Sequence, residues 1–442
     1  MPYNDIHIIW RMRNVPGLRP GKNKKSEGYY MTKQELANDR RKRIDAAVSL
    51  TEYDRVPLAP KTGFFASTAY GIPTYATLTD VRNCIPGIKA YMEEFQPDLV
   101  WPPAVYPAKA ANALGSNFIK FPGYADGIGL NESFQILDGE YLHEDEFEDF
   151  CFDPTHFILT KWLPRRNNNL AGLAKINFQN PIEFGLYTST VPFSDPEVVQ
   201  AFDALSLAGK YSLEWLMGGG EIAHIIEDEG FVLGPQVGTT CPFDMFADTF
   251  RGMINTITDV YERPEELMEA VNVMQGLMLR NALGAAIHLK REFFLIPLHM
   301  GVDEFMSPEN YAKFYWPGLK ALIMACIDNG ITPYVFTEGN YNTRLEQLCD
   351  VPPGKVVYMF EKVDMKRAKE TVGKVACINA NLPTALLMYG TPEKISDETK
   401  KLLDICAPGG GFMMDTSIPI DKCPKENLHA MFDTVHKYGS YK

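Results

Sequence analysis

The chain has 442 residues, 45% of them hydrophobic and 22% charged, a globular composition with room for one large domain with additions, or for two domains. A formal net charge of −13 argues against nucleic acid and against an anionic membrane surface as partners, since both would repel it. Eight scattered cysteines without a C-x-x-C pair, no leader-like N-terminus and no apolar run of spanning length predict reduced thiols and a soluble, cytoplasmic protein.

Residues 1 to about 31 are polar and weakly patterned, and read as an arm packed on the body or on a neighbouring subunit, which would make a homodimer. Thr32-Lys-Gln-Glu35 is a capping box that opens a helix carrying Leu36, Ile44, Ala47 and Val48. Its basic run Arg40 to Arg43, like Arg19 to Lys25, reads as solvated surface. A first strand is expected over 56–59 and a second over 98–101, with further candidates at 118–121 and 134–137. Asp195-Pro-Glu197 caps a long helix toward Met217, which Gly218-Gly-Gly220 should break. Helical patterns continue to about Leu289.

From Phe293 onward, strands and helices alternate. Strands are predicted at 293–298, 331–336, 355–360, 375–378 and 409–414. Helices are predicted from Ser307-Pro308 to Asn329, from Thr343 to Cys349, from Met365 to Val372, from Pro392 to Cys406, and from Pro424 to Tyr438. Short-looped βα units imply a parallel sheet with right-handed crossovers. With three more strands from the first half, the expected fold is a (β/α)8 TIM barrel. It would carry an N-terminal arm and helix (1–50) ahead of a single barrel domain (51–442), with a helical insertion near 195–290.

A barrel places chemistry at the C-terminal ends of its strands. Those ends carry His299 and Asp303, Glu338 and Tyr341, Glu361 and Asp364, Asn379 and Asn381, then Asp415 and Thr416. Glu338 stands out, because it ends a buried run and is followed by Gly339-Asn340, a turn signal, rather than by a helix it might cap. Asp303 and Asp364 read equally well as helix caps. Glu338, His299, Asp303 and Tyr341 are the candidate catalytic residues. Arg344, Asn381 and Asp415 are candidate substrate contacts.

Phe305-Met-Ser-Pro-Glu-Asn-Tyr-Ala-Lys-Phe-Tyr-Trp-Pro317, Gly390-Thr-Pro-Glu-Lys, Gly409-Gly-Gly-Phe412 and Pro424-Lys-Glu-Asn427-Leu resemble segments that mark the uroporphyrinogen decarboxylase superfamily. Asp54-Arg-Val-Pro and Arg263-Pro-Glu-Glu-Leu fit the same frame, so the resemblance runs over roughly residues 35–440. It implies a (β/α)8 barrel and one of two chemistries. The decarboxylases bind polycarboxylates through arginines after the first strand. The matching stretch here, Val56-Pro-Leu-Ala-Pro-Lys-Thr-Gly-Phe-Phe65, has one lysine and no arginine, too little charge for a polyanionic tetrapyrrole.

The other branch, the corrinoid (methylcobamide)-dependent methyltransferases, moves a methyl group between a small molecule and cobalt on a partner protein. Its thiol-methylating members bind zinc through a His-x-Cys pair and a later Cys. The matching positions here are Phe336 and Glu338, with no cysteine from Asp415 to Ile420. The resemblance therefore implies an O- or N-methyl donor, with Glu338 either as an acid or, with His299, as a zinc site. Phe64, Phe65, Tyr70, Phe336 and Tyr341 would line an aromatic pocket suited to a methoxylated aromatic. The chain has no Asp-x-His-x-x-Gly motif, so cobalamin would come on a corrinoid protein docking at the barrel mouth. A decarboxylase of a smaller acid and a non-catalytic ligand-binding barrel are the alternatives.

Overall fold

The computed structural model describes residues 31–103, 106–124, 127–178 and 183–441, residues 183 and 184 by their backbone alone. The N-terminal arm and its basic run lie outside the described residues. Residues 33–442 form one compact unit.

Nine strands occur among the described residues. They are β1 (Leu99–Val100), β2 (Ile119–Lys120), β3 (Gln135–Ile136), β4 (Val232–Leu233), β5 (Phe293–Leu298), β6 (Thr332–Asn340), β7 (Val357–Lys362), β8 (Cys377–Leu382) and β9 (Phe412–Thr416). β5 to β9 make a five-stranded parallel sheet in sequence order. The backbone closes it into a ring. Met414 N–H donates to Pro57 O (2.9 Å) and Ala59 N–H to Met414 O (3.0 Å), which joins β9 to the segment 56–59. Leu58 O then accepts from Asp98 N and Leu99 N, and β1 pairs in parallel with β4. Beyond β4, Leu295 N–H donates to Val237 O and Thr239 N–H to Leu295 O, which returns the ring to β5. Eight extended segments thus enclose one axis, the (β/α)8 barrel expected from the sequence.

Three expectations change. The 118–121 and 134–137 segments give β2 and β3, an antiparallel pair outside the ring. The third strand of the first half is β4, inside what the sequence suggested as one helical insertion, so 195–290 is two helical stretches with a barrel strand between them. The run Gly218 to Gly220 breaks nothing, because a single helix spans Pro196–Asp228. A Cβ on Gly218 would lie 2.7 Å from Val81, so this glycine lets the helix pack closely on residues 81–84.

The core has two parts. Leu99, Trp101, Val232, Phe293, Tyr334, Phe336, Val357, Met359, Cys377 and Met413 fill the barrel, contributed by strands from around the ring. The alternate residues, such as Val335, Tyr358, Phe360, Ile378 and Phe412, pack outward with the helices. Ile44 and Ala47 join the inner cluster, so the helix Lys33–Val48 plugs the N-terminal end of the barrel. Its basic run does more than face solvent. Arg40 bonds Gly230 O and Gln96, Arg41 pairs with Glu292, and Arg43 reaches Asp54 and the buried Asp98.

Candidate active site

With Phe293, Tyr334, Phe336, Met359, Cys377 and Met413 facing inward, period-two alternation brings His299, Glu338, Glu361, Asn381 and Asp415 to the interior at the C-terminal mouth. The β6 ladder to β7 shifts register between Thr337 and Asn340, a bulge centred on Glu338. The strand therefore runs on to Asn340 instead of turning at Gly339. Gly339 has φ +90°, and a Cβ there would meet Val302 Cγ1 at 2.7 Å, so backbone conformation and space both favour glycine. Glu361 accepts the Gly339 N–H (2.6 Å), which fixes the bulge from the neighbouring strand.

His299 faces Glu338 across the mouth, with Nε2 3.9 Å from the carboxylate Oε2. Behind it, Nδ1 meets Asp248 at 2.6 Å. Asp244, fully buried, accepts from the backbone N–H of His299 (3.0 Å) and of Met300 (2.8 Å) and from the Tyr315 hydroxyl (2.5 Å). Burial alone would lower the His299 pKa. The Asp248 hydrogen bond and the charges of Asp244, Asp248 and Glu338 outweigh it, and the value rises to about 9. Burial raises Glu338, with the nearby carboxylates of Glu361, Asp244 and Asp248 adding and His299 opposing. Burial likewise lifts Asp244 to about 6, against His299. Near neutral pH the mouth thus holds an imidazolium backed by Asp248, facing a carboxyl with a raised pKa.

Lys61 and Asp415 form a second buried pair. The ammonium also donates to Thr416 O (3.0 Å), and it lies 4.9 Å above the Phe336 ring. Asn379, between them and the barrel floor in sequence and register, is fully buried, and neither amide atom has a partner among the described residues. Asn381 donates to Glu361 O (3.3 Å). Beside Glu361 and Asn381 a cleft of about 510 Å³ opens, lined also by Lys362, Met365, Leu402 and Ile405.

Several expected site residues lie elsewhere. Asp303 accepts from Thr343 N–H (3.0 Å) and hydroxyl (2.7 Å), and so braces the loop after β6. Arg344 is buried and donates to the carbonyls of Gly301, Val302 and Met306, which makes it a clamp on the loop after β5 rather than a substrate contact. Tyr341 is buried against Gly301, beside Tyr315 and behind the mouth. Phe64 packs with Leu78 and Phe121, and Phe65 with Tyr91 and Phe95, under the outer helices. Tyr70 bonds Glu94 beneath Lys425. Of the aromatic pocket, only Phe336 faces the barrel interior.

Asp244 and Asp248 were not anticipated. Their signal was available, because Pro242-Phe-Asp244-Met-Phe-Ala-Asp248 puts two acids four residues apart on an otherwise apolar helical stretch.

Zinc needs three or four ligands at about 2.0–2.3 Å in a closed geometry. His299 and Glu338 supply two donors, and no group of three His, Cys, Asp or Glu among the described residues is arranged to hold a metal. The pair falls short of a zinc site by at least one ligand.

A sequence model of the uroporphyrinogen decarboxylase family matches residues 231–438. The methylcobamide:CoM methyltransferase MtbA of Methanosarcina acetivorans is 26% identical over 135 residues, 30% of this chain and 39% of that protein. A uroporphyrinogen decarboxylase of Aromatoleum aromaticum is 29% identical over 143 residues, 30% of this chain and 38% of that one. These matches span about two fifths of the relatives' length. A solved methyltransferase from Methanosarcina mazei superposes with a TM-score of 0.60 at 16% identity, covering 90% of this chain and 98% of the other, a likeness of fold. The matched residues, a little under half of this chain, carry β4 to β9 and both residues of the facing pair, and over them the chain is similar to the uroporphyrinogen decarboxylase family.

Proposed function

We propose that the protein is the substrate-side methyltransferase of a corrinoid-dependent system, taking a methyl group from a small O- or N-methyl compound, a methoxylated aromatic being one such donor. The observation that carries this reading is the facing pair His299–Glu338, with Asp248 behind the imidazole. Removing a methyl group from an ether or amine leaves the electron pair of the broken C–O or C–N bond on the heteroatom, which departs readily only if it gains a proton. Asp248 holds Nδ1, so Nε2 is the nitrogen turned to the mouth. The proton for the leaving oxygen or nitrogen comes from Glu338 or from Nε2.

A corrinoid brought by a partner protein would supply the nucleophile that accepts the methyl group. The side chains of His299 and Glu338 are 32% and 42% exposed, so a group presented from outside reaches them. Phe305 and Ile418, on the loops after β5 and β9, add exposed apolar contacts near that rim.

Decarboxylation of a small acid is supported less well. Four carboxylates (Asp244, Asp248, Glu338 and Glu361) stand at or behind the mouth, and the buried Lys61 is neutralised by Asp415. The test is methylation of free cob(I)alamin by a panel of methoxyaromatics and methylamines, followed spectroscopically, with CO2 release measured in parallel. Cobalt methylation is the expected result, and CO2 release from a carboxylic acid with no corrinoid present would overturn the reading.

A further inference from the structure

The helix Pro196–Asp228 buries one face, with Val198, Ala201, Ala204, Ala208, Ile222 and Ile226, against the body. A second face is uncharged for most of its length and exposed. Val199, Phe202, Ser206, Gly209, Leu213, Leu216 and Gly220 recur at spacings of three and four, with Met217 beside them. Leu216 is 68% exposed, Met217 51% and Val199 48%. The stripe continues off the helix through the ring contacts Phe202–Phe193 (5.4 Å) and Phe193–Phe178 (5.7 Å), and Val191 adds to it. Its apolar side chains expose on the order of 600 Å², the upper end of what a monomer leaves to solvent and near the ~800 Å² per partner of a stable interface.

We propose that this face is a two-fold interface with a second copy of the same chain, the two helices packing antiparallel about residues 206 and 207. The charges on its shoulder select that occupant. Asp203 and Lys210 are exposed and have no ion-pair partner among the described residues. They stand seven residues apart, symmetric about the proposed axis, so each Asp203 meets the other chain's Lys210. The same register sets Phe202 over the other chain's Gly209, where a Cβ would have nothing within 4 Å, and Leu213 against Val199. Bulk thus meets space, and opposite charges meet, through one symmetry operation. This inference is independent of the proposed reaction.

Sedimentation of the full-length protein over a range of concentrations is the test, with four variants. Phe202→Asp should give a monomer with unchanged circular dichroism. Asp203→Lys and Lys210→Asp should each weaken the dimer roughly tenfold, and the double exchange should restore it. Ser206→Cys should cross-link two chains under mild oxidation, whereas the parent should not. A monomer at every concentration, or a dimer that Phe202→Asp leaves intact, would overturn the proposal. So would a double exchange that sums the two losses instead of cancelling them.

Discussion

Asp248 decides which nitrogen of His299 is turned to the barrel mouth, and with Asp244 it sets how firmly the ring holds its proton. A protonated acid is present below a pKa of about 9, so methyl transfer should hold near neutral pH and fall as pH rises through about 9. Asp248→Asn removes the carboxylate charge that helps raise the value, and the alkaline limb should move to lower pH, read from kcat/KM against pH. The same shift bears on stability. Against an ordinary value of 6.5, the raised folded-state pKa gives a contribution fully present below about 6.5 and lost as pH rises through about 9. Asp248→Asn should flatten that part of the stability profile in urea titrations. Lys61→Met tests the other buried pair. It strands the Asp415 carboxylate in the barrel interior, and should cost about 3–5 kcal/mol, whereas replacing both partners with apolar residues should recover most of that.

At the scale of elements, the loops after β5 and β6 hold the facing pair through Arg344, Asp303 and the bulge at Glu338. Arg344 was expected to touch substrate, and its guanidinium instead binds three carbonyls in the interior. Arg344→Ala should therefore lower stability by about 2–4 kcal/mol in denaturant melts while leaving KM for the methyl donor within about twofold. Gly339→Ala forces a Cβ toward Val302 at positive φ, and should cost about 1–3 kcal/mol and shift Glu338, so that kcat falls with it.

These elements also mark how far the sequence could be read. β5 to β9 were legible because each is a run of five to nine residues, apolar for most of its length and flanked by capped helices. In the first half the expected strands 56–59 and 98–101 both lie in the ring, but β4, a two-residue ladder reached after 131 residues of helices and the β2–β3 pair, has too short a run for periodicity to show. The aromatic pocket failed for a related reason. Phe64 and Phe65 follow the first strand in sequence, but the chain coils at once into the turn Phe65–Thr68, which sends both rings under the outer helices. Contacts across the ring, such as Asp244 and Asp248 with a histidine more than fifty residues later, have no spacing to betray them.

For the molecule as a whole, a closed barrel has no free edge, and its lower end is sealed by Ile44 and Ala47 from the helix Lys33–Val48. Ile44→Ala should leave a cavity beneath the strands and cost about 2–5 kcal/mol, measured by chemical denaturation, without altering the pH profile of the mouth some distance away. The open end carries the facing pair, and the central claim is that this pair protonates the leaving atom of a methyl donor. The most direct measurement is the rate of cob(I)alamin methylation by the best donor of the panel, compared for the parent, Glu338→Gln and His299→Ala across pH 6 to 10. The expected result is a loss of about 10²–10⁴-fold in each variant, with the parent's fall near pH 9 absent from His299→Ala. Unchanged rates in both variants would contradict it.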